Sequence, residues 1–286
     1  MTSLQPKSLI YRKIVNALVT VFCFMSISIT LYAMWWILKT VYVYGADAIT
    51  WEFLTQPTKP YAEPGAGIAN ALLGTLYMTL GASLLAVPTG LAAGIYLAEF
   101  GKNGKIASLL RFCGNVLMGI PSIIIGLFVY IIVVIPSGHF SGWAGTVALG
   151  IIMFPVIMRT TEDILQMVPD ALRESALALG MTRLRTTLCI VSRSAKNGLT
   201  TGILLALARV SGETAPLLFT ALFADSWPEQ FFGQPTASLP VLITEYTNNS
   251  PFEAMHAVGW GAALVIAFAI LLINIIIRTI FHENKH

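Results

Sequence analysis

Six long apolar stretches limit what this chain of 286 residues can fold into. They lie at about residues 14–38, 69–98, 108–135, 143–158, 197–223 and 254–280. A helix that crosses a bilayer needs about 20 apolar residues, and all but the fourth stretch reach that length. Only 11% of the residues are charged, whereas soluble domains carry about 25%. The sequence therefore predicts an all-α, polytopic membrane protein with six transmembrane helices.

Lysine and arginine are distributed unevenly over the segments between these stretches. Of the 17 such residues, all but Lys39, Lys59 and Arg209 fall in the two tails, after the second stretch or after the fourth. Because basic residues are retained on the cytoplasmic side of a membrane, we expect both termini in the cytoplasm. The first stretch is too long for a cleaved signal peptide and is predicted to be an anchor.

The predicted spans divide the chain into three parts. We expect residues 1–68 to hold a tail, the first helix and an outer loop, 69–280 to form a five-helix core, and 281–286 to form a cytoplasmic tail. The core contains the most polar segment, residues 159–196. Within it, Asp170 and Gly180 bound a run of good helix formers, which is typical of a short helix with defined ends. We predict an amphipathic helix on the cytoplasmic face that either lies on membrane lipid or docks on a partner.

Spans two to five each contain a proline. A proline inside a helix removes one backbone hydrogen bond and bends the helix. In a membrane such a bend is tolerated where neighbouring helices or a cavity satisfy the freed carbonyl group. These spans are therefore predicted to bend and to line a cavity, at Pro88, Pro121, Pro155 and Pro216.

Arg209 and Glu213 are charged residues inside the fifth apolar stretch. An arginine at the centre of a bilayer costs about 2.5–3.5 kcal/mol, so it is expected to have a function or a partner. Glu213 follows at i+4, within pairing reach on one helix face. Gly212 and Pro216 weaken the helix at this point, a pattern that transporters use beside polar midplane sites. Two hypotheses remain open: an anion-binding site, or an Arg–Glu pair that only locks the fifth span to a neighbour.

Three further residues are candidates for the same pathway. Thr214 either supports the site as a hydrogen-bond donor or bonds back to its own helix. Arg159 ends the fourth span and is either an ordinary cytoplasmic boundary residue or part of an exit for the anion. Ser122 follows Pro121 in the third span and is placed on the pathway.

The cytoplasmic segment resembles the coupling loop of ATP-binding-cassette importer permeases. The match is carried by Glu174, Ser175, Ala176 and Gly180, which follow the EAA motif of that family, although Ser175 replaces its first alanine. Ile190 also fits, whereas Ser192 and Arg193 stand where the family has leucine and proline. The stretches "GIYLAEFG", "PSIIIGLFVY" and "LARVSGETAPLLFTAL" resemble the phosphate permeases of this family.

The resemblance implies a type I importer permease in a bacterial inner membrane. It implies that Glu174, Ser175, Ala176 and Gly180 dock on an ATPase. It also implies a sister permease, two ATPase subunits that bind ATP and Mg, and an external phosphate-binding protein. The chain itself would then be non-catalytic and hold no cofactor.

Other functions are weighed against this one. The chain has no Walker A, HExxH or GxSxG motif and no cysteine or histidine spacing typical of a metal site, which disfavours a membrane-embedded enzyme. An ion-coupled secondary transporter could use Arg209 and Glu213 but would not need the EAA-like loop. A permease for another oxyanion fits the same residues. Nothing in the sequence indicates a nucleic-acid partner.

Overall fold

The computed structural model describes residues 9–101 and 104–282, and no β-strand occurs within them. The α-helices are α1 (Leu9–Gly45), α2 (Trp51–Thr55), α3 (Ala69–Ile95), α4 (Lys105–Gly119), α5 (Ser122–Val129), α6 (Ile135–Ser137), α7 (Gly142–Gln166), α8 (Asp170–Ala178), α9 (Arg183–Thr186), α10 (Ser192–Ser194), α11 (Lys196–Val210), α12 (Ala215–Leu218), α13 (Leu239–Asn248) and α14 (Glu253–His282). Short π-helical segments follow α3, α5 and α9, at Tyr96–Gly101, Tyr130–Val134 and Thr187–Val191. The predicted all-α class is confirmed. Residues 1–8 and 283–286 of the two predicted tails lie outside the described residues.

The described residues contain four helices that are long and apolar enough to cross a membrane: α1, α3 with its π-helical extension, α7 and α14. Helices α4 and α5–α6 satisfy the same criteria only as a pair, and they are bent by 103°. The count is therefore four, or five with the bent pair, and the predicted six are not confirmed. The missing span is 197–223, because α11 ends at Val210 and is followed by a turn and the short α12.

The four prolines stand in two different settings. Helices α3 and α7 continue through Pro88 and Pro155. Pro121 instead precedes α5 at the 103° bend, and Pro216 lies in the first turn of α12. A proline lacks the N–H group that would continue the preceding helix, so it is well suited to begin a new one. Pro121 and Pro216 thus mark the places where the chain changes direction.

Helices α3 and α7 form the centre of the bundle. Gly94 of α3 lies so close to α7 that a Cβ atom there would be 2.6 Å from the carbonyl oxygen of Met158. Such small residues let membrane helices approach closely, since packing and not water drives their association. Helix α7 is the most enclosed span, and α5, α11 and α12 pack around it. By contrast, no residue in the most apolar window of α1 is buried, although α1 contacts α14.

Helix α7 extends further than the sequence predicts. The fourth apolar stretch was expected to end at residue 158, and residues 159–196 were expected to form a loop, but α7 continues to Gln166. The added turns contain Arg159, Glu162 and Asp163. Arg159 pairs with Glu162 at 3.0 Å and with Asp163 at 3.4 Å. These ion pairs stabilise charged residues within the helix, whereas the sequence prediction had ended the helix at the first charged residue.

The two loops that the sequence predicts to lie outside are joined by Asn70 at the start of α3. Its side-chain amide accepts a hydrogen bond from the Thr58 backbone at 3.0 Å and donates to the Thr58 hydroxyl at 2.8 Å. The same NH₂ group donates to the Ala224 carbonyl at 3.0 Å. Asn70 is 1% exposed, so these bonds are made away from water and connect segments 154 residues apart.

Candidate functional site

A small polar cavity lies at the bend between α4 and α5. Its volume is about 100 Å³, and its polar lining consists of Ser122, Arg209 and Glu213. Apolar side chains from α4, α5 and α7 form the rest of the wall: Leu117, Met118, Ile120, Ile125, Ile152 and Val156. The fold therefore brings together three of the predicted pathway residues from two segments far apart in the sequence.

The end of α11 determines how Arg209 and Glu213 reach this cavity. Arg209 lies in the last turn of α11, and the Ser211 hydroxyl donates to the Ala208 carbonyl at 2.8 Å. The Gly212 N–H donates to the Arg209 carbonyl at 3.2 Å, which is a tight turn and not an α-helical bond. Glu213 thus lies beyond the helix. The helix therefore ends in the region where Gly212 and Pro216 predict a break.

This break removes the expected Arg–Glu pair. The i+4 spacing places two side chains on one face only while the helix continues, and α11 ends between them. Among the described residues, no ion pair within 4.0 Å joins Arg209 to Glu213, and neither side chain has a hydrogen-bond partner. Arg209 is exposed, and Glu213 is half-buried. A guanidinium group that borders a cavity without a protein partner retains its donors for an anion.

Thr214 and Arg159 do not line this cavity. Thr214 precedes α12 and is not among the described residues that line this cavity. Arg159 is held by its pairs with Glu162 and Asp163 near the Gln166 end of α7, which the sequence predicts to be the cytoplasmic, or inner, end.

Glu162 is the centre of a buried polar cluster at that inner end. It is 1% exposed, and its carboxylate accepts from Arg111 Nε of α4 at 2.6 Å, from Arg159 at 3.0 Å and from the Gln166 amide at 3.2 Å. Arg111 Nη2 also donates to the Leu97 carbonyl at 3.1 Å. A buried carboxylate is tolerated when cations and donors surround it in this way. The cluster therefore ties α4, α7 and the π-helical end of α3 together.

Helix α8 carries the EAA-like residues and has the predicted bounds. Glu174 and Ser175 are exposed, whereas Ala176 is 5% exposed and packs inward. The Gly180 N–H donates to the Leu177 carbonyl, and the next N–H donates to the Ala176 carbonyl, at 2.9 and 3.2 Å. This pair of bonds is a Schellman motif, which needs a residue with positive φ, and Gly180 has φ of 80°.

Arg173 attaches α8 to the bundle. It donates to both carboxylate oxygens of Glu99 in the π-helical end of α3, with a shortest distance of 2.7 Å, and to the Leu165 carbonyl at 2.7 Å. The hydrogen bond to Glu99 raises the pKa of Arg173, although partial burial opposes this shift. Helix α8 is thus fixed to the adjoining ends of both α3 and α7.

Exposed residues around α8 form a surface of mixed character. A cavity of about 580 Å³ next to it is bordered by Glu174 and Arg183. Large apolar side chains are exposed nearby, among them Leu177, Leu179, Leu184 and Leu188. This combination is typical of a surface that another protein covers.

The sequence analysis missed the contacts of Glu99, Arg111, Glu162 and Arg173. Glu99, Arg111 and Glu162 are charged residues at or near the predicted inner ends of apolar stretches, where opposite charges were a usable signal, whereas Arg173 lies within the polar segment 159–196. The pairing itself was not readable, because Arg111 and Glu162 are 51 residues apart and Glu99 and Arg173 are 74 apart.

Comparison with known proteins gives consistent results. Residues 90–282 match the family model described as binding-protein-dependent transport system inner membrane component. The phosphate transport system permease protein PstA of Yersinia pestis is 41% identical over 276 residues, covering 96% of this chain and 93% of that protein. PstA of Haemophilus influenzae is 42% identical over 275 residues and 96% of each chain. An inward-facing structure of the MetNI methionine ABC transporter superposes with a TM-score of 0.62 at 18% identity, over 76% of this chain and 95% of that one.

Proposed function

Because this chain belongs to the family of binding-protein-dependent transport system inner membrane components, we propose that it is the permease subunit of an ATP-driven phosphate importer. The similarity to phosphate permeases over 96% of the chain carries this proposal. The chain contributes one half of the translocation pathway and performs no chemistry itself.

The cavity at the α4–α5 bend is the proposed phosphate contact. Arg209 presents a planar set of donors that has no partner in the described part of the chain, and this set suits the oxygens of phosphate. Glu213 accepts a hydrogen bond from a protonated phosphate oxygen, a bond that fully ionised sulfate cannot make. Ser122 supplies a hydroxyl from α5 to the same cavity. Thr214 and Arg159 are proposed to act further along the pathway.

The proposed complex contains a sister permease, two ATPase subunits that bind ATP and Mg, and an external phosphate-binding protein. Helix α8 docks on an ATPase through Glu174, Ser175, Ala176 and Gly180. The exposed leucines beside α8 support this assignment, because membrane permeases of this kind need an apolar surface for their soluble partner.

The chain is proposed to lie in a bacterial inner membrane with both termini in the cytoplasm. The uneven distribution of basic residues supports this orientation. Single cysteines in a cysteine-free background, labelled by a membrane-impermeant reagent, test it. Residues 224–253 should react from outside and residues 160–195 only after permeabilisation, and the reverse pattern would contradict the orientation.

The decisive experiment is ATP hydrolysis by the purified four-component complex in proteoliposomes. Phosphate, sulfate, molybdate and a phosphonate are added with the external binding protein. We expect phosphate alone to stimulate hydrolysis, together with uptake of labelled phosphate. Stimulation by another oxyanion would reassign the substrate, and ATP-independent uptake by this chain would replace the whole proposal with a secondary transporter.

A further inference from the structure

We propose that Arg111 is a positioning residue that makes α4 the mechanical connection between the coupling helix α8 and the cavity of Arg209 and Glu213. This inference rests on the proposed function, because it assumes that α8 moves with an ATPase. It assigns the control of the cavity to one helix and one side chain.

The first step of the connection is the attachment of α8 to the end of α3. Arg173 holds both carboxylate oxygens of Glu99, which lies in the π-helical segment Tyr96–Gly101. Glu99 is largely buried, with its side chain 10% exposed. A displacement of α8 is therefore passed to this segment unless a charge-assisted bidentate contact breaks.

The second step is the attachment of the same segment to α4. The carbonyl of Leu97 accepts from Arg111 Nη2 at 3.1 Å, while Arg111 Nε holds Glu162 of α7 at 2.6 Å. Leu97 is fully buried in a cluster with Ala107 of α4 and Met158 of α7. One guanidinium group thus bonds to the end of α3 and to α7 from a single position on α4.

The third step is the opposite end of α4. Leu117 and Met118 line the cavity that contains Arg209 and Glu213. At a rise of 1.5 Å per residue, Met118 lies about 10 Å along the helix from Arg111. Beyond it, α4 ends and Pro121 precedes α5 at a bend of 103°, so α4 and α5 do not form one continuous helix. A change at the inner end of α4 therefore alters the wall of the cavity.

Two substitutions at Arg111 test this role. Arg111→Gln removes the charge, but Glu162 retains Arg159 at 3.0 Å and Gln166 at 3.2 Å, so no buried carboxylate is left without a partner. Arg111→Lys keeps the charge, but an ammonium group cannot reproduce the planar geometry that contacts two acceptors at once. Lys105→Gln on the same helix is the matched control, because Lys105 is exposed and has no partner among the described residues.

The measurements are phosphate uptake per ATP hydrolysed and basal ATP hydrolysis in proteoliposomes. We expect Arg111→Gln and Arg111→Lys to keep ATPase assembly and basal hydrolysis within about twofold of wild type, while uptake per ATP falls at least tenfold. Lys105→Gln should match wild type in both. Wild-type uptake per ATP in Arg111→Lys and Arg111→Gln would overturn the proposal.

A second measurement does not depend on whether the Arg111 variants fold. Leu117→Cys in a cysteine-free background is labelled with a small thiol reagent in the nucleotide-free complex and after trapping with ATP and vanadate. We expect the labelling rates to differ at least threefold, and equal rates would overturn the proposal. This comparison needs no particular substrate, so it separates the role of α4 from the choice of phosphate. Failure of any ATPase to assemble with the chain would instead refute the proposed function.

Discussion

Replacing Arg209 with glutamine should nearly abolish phosphate uptake and leave the folded protein unchanged. The structure separates these two effects, because Arg209 has no ion-pair or hydrogen-bond partner among the described residues. Removing it therefore leaves no protein group unsatisfied, and Glu213 loses nothing that it holds in the structure. The glutamine retains bulk and some hydrogen bonding but loses the full charge.

The size of the effect follows from the contact that the anion loses. A hydrogen bond to a charged group is worth about 1.5–3 kcal/mol net, and about 1.4 kcal/mol corresponds to a tenfold change. Loss of one such contact should lower kcat/KM for uptake roughly tenfold to a hundredfold, and loss of a bidentate contact more than that. Arg209→Lys keeps the charge without the planar donor set and should retain an intermediate rate.

The assay is uptake of labelled phosphate, with thermal unfolding of the purified complex measured in parallel. Lys196→Gln, at the first turn of the same helix, is the matched control and should transport normally. We expect the midpoint of unfolding of Arg209→Gln to stay within about 2 °C of wild type. A large fall in that midpoint, or uptake at the wild-type rate, would refute the assignment of Arg209 to the anion.

Three further predictions concern other parts of the chain. Glu174→Lys should leave the protein inserted but reverse a charge on the exposed docking surface, so less ATPase should co-purify; wild-type recovery with normal transport would contradict this. Gly180→Ala should lower the free energy of unfolding by about 1–2 kcal/mol, because φ of 80° disfavours a Cβ atom even where the surrounding space is empty. Gly180→Asn should lower it less, and equal thermal stability of the wild type and both variants would contradict the strain argument. Asn70→Ala should lower the free energy of unfolding by about 1–3 kcal/mol, because buried backbone groups of both outer loops lose their partner. Asn248→Ala, at an exposed position, is the control, and equal unfolding midpoints of the two variants would show that the contact is dispensable.

Local rules predicted the parts of the molecule that depend on neighbouring residues. The start of α8 at Asp170 follows from the proline before it, its end follows from the Gly180 motif, and the break near Gly212 follows from backbone chemistry. Local rules gave the wrong result where the i+4 spacing of two charged residues competes with a signal for a helix end. The i+4 spacing predicted contact between Arg209 and Glu213, but the helix end that Gly212 and Pro216 cause lies between those residues and removes the shared face.

Contacts between distant segments were not predictable from one sequence. Charge at the end of α7 looked like the start of a loop, yet Glu162 is paired both with Arg159 of α7 and with Arg111, which comes from α4. The proline at position 121 indicated a bend, but no local rule gave its angle of 103° or the packing of α4 against α7. The sequence therefore predicted the polar residues of the cavity, but it did not predict the apolar residues that form its wall.

The bidentate contact of Arg173 affects how natural variants of this chain should be interpreted. Lysine usually counts as a neutral replacement for arginine on a cytoplasmic surface. Here the guanidinium group donates at the same time to two oxygens of Glu99 and to the main-chain carbonyls of Leu165 and Val168, and a single ammonium group cannot reproduce this planar set of donors. A lysine at this position is thus an informative change, because it would preserve the net charge of the surface while weakening the attachment of the helix that we propose docks on an ATPase.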